Sequence, residues 1–419
     1  MRSATEGQNG TKPATFLQQI RELDTPVLIL TAISFVSSLG IAVMLPLIPL
    51  YAVSLGASPW QLGLLTSAFA MANAVSQLAA GLLTDRLGPR GFIRGGIATY
   101  AGANLLIATA ATAPMLIAYR ALAGLGTGVN LVAGRIYLAQ ITDPMKMAFT
   151  NGVLSAAFSA GQVTGPAFGG IVTALADLRL PFLLVGLTSG VAFVGSLLLP
   201  RASERTAAAP GTQASSAATG LFNRPAIILL IAQFCLLAGY GGFITTYAPL
   251  ATTVLGWSTL EVGIVFSFFG AGSIVLGPWL SHLADRIGRP LIGALACIPI
   301  ALFGLGLVLA LPRLVLYAIT FAAGGGLTAF TAAWFALLAE AAPSARRGRT
   351  FGVISAASNL GTVVGAMTAS AIWQRVNLSA AMLSVTVPVM LGGAAMLLLL
   401  ARAPSSPSSS PIARDRDAP

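Results

Sequence analysis

Charge is what this sequence has least of. Only 8% of its 419 residues are Asp, Glu, Lys or Arg, where a soluble domain carries roughly 25%. So few charges cannot clothe a water-facing surface, which excludes a soluble globular protein. Lysine is confined to Lys12 and Lys146, and histidine to His282. A single histidine leaves no nucleophile–base constellation, and no phosphate-binding loop points to ATP use. An enzyme is therefore the least supported class. Cysteine is limited to Cys235 and Cys297, both inside apolar runs. Neither a disulfide nor a metal site is suggested by them, and no cofactor is expected. The twelve acidic residues all avoid the centres of the apolar runs.

What fills the chain instead is apolar side chain, at 56% of residues. A bilayer accepts such side chains all round a helix. Apolar runs of roughly 20 residues predict helices near 27–51, 60–83, 92–113, 115–139, 148–173 and 180–200. A second set is predicted near 225–251, 258–284, 290–310, 313–339, 349–373 and 378–402.

The net charge of +11 raises the question of a nucleic-acid partner. Its placement answers otherwise. With the N-terminus inside, the external connections carry Arg179, Arg313 and Arg375, while cytoplasmic loops and tails carry eighteen of the 23 basic residues. Arg120 and Arg135 alone fall within helices. This is the positive-inside pattern, so the charge orients the chain in a lipid bilayer and no nucleic acid is expected. Contact with anionic lipid is a secondary expectation. Residues 1–24 are polar, and the first apolar run is too long for a signal-peptide core, so no cleavage is expected. Abundant Ala and Gly with two lysines suggest a high-GC bacterial source, hence a bacterial inner membrane.

The two sets of helices align at a constant offset of 200 residues. Gly56, Ser58 and Gly63 match Gly256, Ser258 and Gly263; Asp85, Arg86 and Gly88 match Asp285, Arg286 and Gly288. Gly124 and Gly126 match Gly324 and Gly326, and the segment from Gly152 to Gly165 matches that from Gly352 to Gly365. The expected fold is an all-α membrane protein of twelve transmembrane helices in two pseudo-symmetric six-helix bundles. The bundles would span 25–200 and 225–402. A cytoplasmic segment 1–24, a flexible linker 201–224 and a disordered tail 403–419 complete the organisation.

Four motifs carry mechanism. The loop GLLTDRLGPR, residues 81–90, combines Gly81, Asp85, Arg86, Gly88 and Arg90. Gly81 would permit close helix approach, Gly88 a tight turn, and Asp85 could pair with a neighbouring Arg as a cytoplasmic latch. SHLADRIGR, residues 281–289, is a second copy with Asp285, Arg286, Gly288 and Arg289. The fifth predicted helix holds GQVTGPAFGG, residues 161–170. Its Gly161, Gly165 and Gly169 form one smooth packing face, followed by Gly170, while Pro166 removes a backbone donor. The fourth holds RALAGLGTG, residues 120–128, which places Arg120 within the membrane at a cost of about 3 kcal/mol or more. Arg120 could hold a carbonyl, attract an anionic group, repel a proton from a carboxylate, or snorkel outward. The first helix reads LGIAVMLPLIP, residues 39–49, whose Pro46 and Pro49 are expected to break it near the outer surface.

The loop at 81–90 resembles the signature loop of the major facilitator superfamily, with Pro89 in place of an Arg. The other three strings resemble motifs of that superfamily's twelve-helix drug:proton antiporters. The resemblance spans roughly residues 25–400. It implies a secondary active exporter of small organic compounds, working by alternating access with protons as the coupling ion. It also associates Arg120 with proton coupling. The family's acidic residue deep in the first or fourth helix is not found here, so proton coupling is inherited from the resemblance alone.

Such a site would lie between the halves near the midplane. Polar or aromatic residues expected there are Ser38, Asn73, Asn104, Asn130, Tyr240, Thr328 and Phe330, with Gln77, Gln233 and Trp334 nearer the cytoplasm. This sparse polarity suits amphipathic organic molecules better than sugars. Two alternatives stay open: a proton-linked importer or facilitator of an organic anion drawn by Arg120, and a non-transporting membrane sensor or scaffold.

Overall fold

The computed structural model describes residues 23–142, 147–200, 223–341 and 347–400. Among them are twelve long helices and no strand. The first half contains α1 (Thr25–Ser54), α2 (Pro59–Leu87), α3 (Pro89–Ala108), α4 (Ala113–Ile141), α5 (Met147–Leu175) and α6 (Leu180–Leu197). The second contains α7 (Arg224–Pro249), α8 (Thr259–Ile287), α9 (Arg289–Val308), α10 (Arg313–Ala341), α11 (Arg347–Arg375) and α12 (Leu378–Leu397). Ten of these helices are long and apolar enough to cross a membrane. Helices satisfy every backbone group internally, as the lipid interior demands. Their outward faces carry exposed Leu187, Val191, Val194, Val364 and Leu391, a surface suited to lipid rather than water. Residues 1–22, 201–222 and 401–419, which hold nearly all of the expected segments 1–24, 201–224 and 403–419, lie outside the described residues.

The 200-residue repeat reaches into the helix ends. The bounds of α2, α3, α4 and α5 recur in α8, α9, α10 and α11 shifted by 200 residues at both ends. The reason is local cap chemistry. Ser58 and Gln61 form a capping box at the start of α2, and Ser258 and Glu261 repeat it at α8. Gly56 and Gly256 precede those caps at φ 74° and 67°, and Gly88 and Gly288 end α2 and α8 at φ 79° and 129°. L-residues with a Cβ rarely adopt such angles, so each glycine sets a turn.

In each half the same pairs pack: α1 on α5 and α7 on α11, α2 on α4 and α8 on α10, α3 on α4 and α9 on α10. Glycine allows the close approach. A Cβ at Gly124 would lie 2.5 Å from the carbonyl oxygen of Phe69, and one at Gly126 2.6 Å from that of Gly96. Gly324 and Gly326 repeat these contacts against Phe269 and Ala296. At the N-terminus of α3, Arg90 donates to Leu197 O at 3.3 Å. Arg94 donates to Ser196 O and Leu197 O at 3.3 and 2.7 Å, closing the carbonyl end of α6.

One expectation is corrected. α1 does not break at Pro46 and Pro49 but runs through both to Ser54, with both prolines buried. Missing donors within a membrane helix are tolerated when neighbouring helices enclose the freed backbone. Tyr51 helps fasten this end, donating to Ala110 O at 2.8 Å and stacking on Phe182 at 5.4 Å. The counterpart Pro249 does mark a change, since a π-helical turn, Leu250–Val254, follows it.

Candidate substrate site

The two halves meet through α5 against α8 and through α2 against α11. On α5, Gly165 and Gly169 seat the helix on α1. A Cβ at Gly165 would stand 2.7 Å from Ala42 Cβ, and one at Gly169 3.0 Å from Val43 Cγ1. The same motif reaches across the halves. Gly170 abuts Thr259 and Leu260, and the carbonyl of Pro166 lies 2.5 Å from where a Cβ of Gly263 would be. Ser267 donates to Val163 O at 3.2 Å, Thr66 and Thr245 share a hydrogen bond of 3.0 Å, and Gly63 faces Ser370.

All these contacts fall at one end of the molecule, the end bearing the α1–α2, α5–α6, α7–α8 and α11–α12 turns. Among the described residues nothing approaches within 4 Å of a Cβ built at Gly81 or Gly152. Among the described residues these contacts close one mouth, and none of them lies at the opposite end.

Behind the closed mouth lie two adjoining cavities. The larger, ≈ 560 Å³, is walled mainly by the second half with Phe158, Ser159, Gln162 and Val163 of α5. Phe243, Phe266, Phe269 and Phe303 make it aromatic, and Gln233, Ser273, Thr320, Thr328 and Thr331 supply sparse polarity. The smaller, ≈ 170 Å³, is lined by Thr66, Phe69, Asn73, Arg120, Asn359 and Thr362 among others. Leu45 and Tyr240 line both.

The cavities are counterparts under the internal repeat. Adding 200 to Thr66, Phe69, Ala70, Asn73, Ala74 and Arg120 yields Phe266, Phe269, Gly270, Ser273, Ile274 and Thr320 of the larger cavity. Subtracting 200 from Asn359 and Thr362 yields Ser159 and Gln162. Each half thus builds one cavity from its own second and fourth helices and borrows the fifth helix of the other. The contents differ: the first is small and holds a cation, the second large and aromatic.

Arg120 is 7% exposed. Its guanidinium carbon sits 4.1 Å from the Phe69 ring centroid, and one terminal nitrogen contacts Met44 Sδ at 3.6 Å. Among the described residues its Nε has no hydrogen-bond partner. Among the described residues the ion pairs are Arg289 with Asp285 and Glu340, and Arg313 with Glu261, all at helix ends. None reaches Arg120. A desolvated cation–π contact returns about 2 kcal/mol, and a thioether is a weak acceptor, so the charge stays incompletely compensated. Asn73 beside it donates to Thr127 Oγ1 at 2.9 Å and accepts from Gln77 at 2.5 Å.

The sequence profile of the Major Facilitator Superfamily matches residues 30–318. The chain belongs to that superfamily. It is 26% identical over 246 residues to the quinolone resistance protein NorA of Staphylococcus aureus, a match covering 57% of this chain and 62% of NorA. Among solved structures, a bacterial homologue of the human lysosomal transporter Spinster, inward-facing and occupied, aligns with a TM-score of 0.73. That alignment covers 90% of this chain and 96% of the homologue at 16% identity. The nucleoside transporter NupG aligns at 0.77, covering 89% and 99% at 12% identity. These likenesses establish the facilitator fold, and the chain is a multi-pass membrane protein of that superfamily.

Of the residues expected at the site of this facilitator, Asn73, Arg120 and Tyr240 line the smaller cavity, and Gln233, Thr328 and Tyr240 the larger. Ser38, Asn104, Asn130, Phe330 and Trp334 line neither. Ser38 is buried against Gly161 and donates to Phe35 O. Asn104 is buried and donates to Tyr100 O at 2.8 Å. Asn130 reaches Ser37 at 3.4 Å. Phe330 and Trp334 belong to the packed core of the second half, where Trp334 donates to Leu229 O at 2.8 Å. These five hold helices together and line neither cavity. Their side chains lie on helix faces turned away from both cavities. Phe69, Phe269 and Gln162 went unread, though Gln162 sits inside the α5 motif and the two phenylalanines share the 200-residue register.

The loop motifs divide. In the second half Asp285 pairs with Arg289 at 2.8 Å, and Arg289 also pairs with Glu340 from the end of α10. That ties two connections of one bundle together. Arg286 is exposed. In the first half the side chains of Asp85 and Arg86 lie outside the described residues. Gly88 makes its turn as expected, but Arg90 turns to α6, and Gly81 makes no close helix contact here. Arg135 is exposed.

Proposed function

We propose that this protein exports small amphipathic organic compounds across a bacterial inner membrane by alternating access, driven by proton antiport. The observation that carries the reading is the ≈ 560 Å³ aromatic cavity behind a mouth closed by the α5 glycines. Its volume lies in the range of small-molecule sites. Aromatic walls with few polar groups favour amphipathic cargo over sugars. With the basic loops inside, the closed mouth faces the exterior and the opposite one the cytoplasm, the state that loads cargo for export. Closing α2, α5, α8 and α11 at the cytoplasmic end and parting them outside would release it.

Proton antiport draws on the α5 motif and the likeness to NorA. The test is transport in proteoliposomes loaded with a fluorescent amphipathic probe. An imposed proton gradient should drive the probe against its own gradient, and an uncoupler should stop it. Probe movement indifferent to the proton gradient would refute the coupling; no movement across a broad panel would refute export.

A further inference from the structure

We infer that the two cavities form one bipartite site for an amphipathic organic anion, its anionic head beside Arg120 and its apolar body in the aromatic cavity. The inference rests on the transport reading and names its substrate class. The internal repeat supplies the control. Position 320 is the counterpart of Arg120, and there the chain places Thr320, which donates to its own helix at Leu316 O, 2.8 Å away. The fold therefore builds this cavity without a cation, and the packing of α4 does not require one.

Arg120 is nevertheless buried to 93%, given its 7% exposure, and lines the smaller cavity with its Nε unpartnered. No Asp or Glu of the sequence lies mid-helix to neutralise it. A buried guanidinium needs a partner, and its planar fork matches a carboxylate. Tyr240 borders both cavities, so a head held by Arg120 leaves its body facing the phenylalanines. An anion leaving a cell that is negative inside also moves down the membrane potential. Such cargo is expelled without a carboxylate in the helix centres.

The test compares three probes of one shape on the purified full-length protein in nanodiscs: 1-naphthylacetate, 1-naphthylacetamide and 2-(1-naphthyl)ethylamine. Equilibrium dialysis should show the carboxylate binding roughly tenfold tighter than amide and amine. Arg120→Gln should erase that preference while leaving amide affinity in place. Phe269→Ala should weaken carboxylate and amide together. Equal binding of carboxylate and amide, tightest binding of the amine, or an unchanged preference in Arg120→Gln would overturn the inference. If Arg120→Gln does not fold, the three-probe comparison on the wild type decides alone. Gradient-driven extrusion of the amine without carboxylate preference would sink the anion site and keep the export reading. Carboxylate preference without gradient-driven movement would do the reverse.

Discussion

Substituting Gly263 by Val should unlock the closed mouth. A Cβ at this position would lie 2.5 Å from Pro166 O, a backbone atom that cannot swing aside, and 3.1 Å from the carbonyl carbon. Ordinary contact begins near 3.4 Å, so α5 and α8 must separate or strain. Overpacking of this kind costs about 1–3 kcal/mol. The strain exists only where the mouth is closed, so it shifts the conformational equilibrium by about 5- to 150-fold towards the outward-open form. Spin labels at Leu175 and Val376, 82% and 66% exposed beside this mouth, report the separation by double electron–electron resonance, with Cys235 and Cys297 first replaced by Ala. Wild type should show one short distance and Gly263→Val a dominant longer one. Gly152→Val, at the opposite end with nothing within 4 Å, should keep the short distance. A Gly263→Val protein that folds and retains the wild-type distribution would refute the claim that glycine contacts close this mouth.

Impermeant thiol reagents should label cysteines placed at Gly211 and Ser409 only from the cytoplasmic side; external labelling would reverse the orientation. Glu340→Gln removes one arm of the exposed Asp285–Arg289–Glu340 cluster. Exposed pairs are worth about 0–1 kcal/mol, so thermal melting should move by no more than a few degrees, and less in high salt. Trp334→Phe deletes a buried hydrogen bond of 2.8 Å to Leu229 O. It should destabilise by about 1 kcal/mol, while transport per folded molecule stays at the wild-type level, because Trp334 lines neither cavity.

Much of this fold was legible before any coordinates, because membrane helices are local objects. An apolar run of bilayer length must satisfy its own backbone, so the twelve helices followed from hydropathy. The turn at Gly88 followed from its glycine, while the capping boxes at Ser58 and Ser258 came from the structure. Proline was the exception. Pro46 and Pro49 signal a break by their own chemistry, yet α1 continues because its neighbours bury both.

Which helix faces line the cavities was not legible in the sequence. In a helix surrounded by apolar neighbours, the hydrophobic pattern no longer marks one face, so Asn73 and Asn104 look alike in sequence. Packing separated them, turning Asn73 into a cavity and Asn104 into the core. Sequence by itself determined the helices, the two-fold repeat, the intramembrane charge of Arg120 and the absence of an acid at its depth. Only the tertiary structure decided that the repeat yields two unequal cavities, that Phe69 meets the guanidinium with no carboxylate among the described residues, and which mouth is closed. Those depend on which faces of α2, α4, α5, α8, α10 and α11 meet, a relation between residues far apart in the chain that no local pattern encodes.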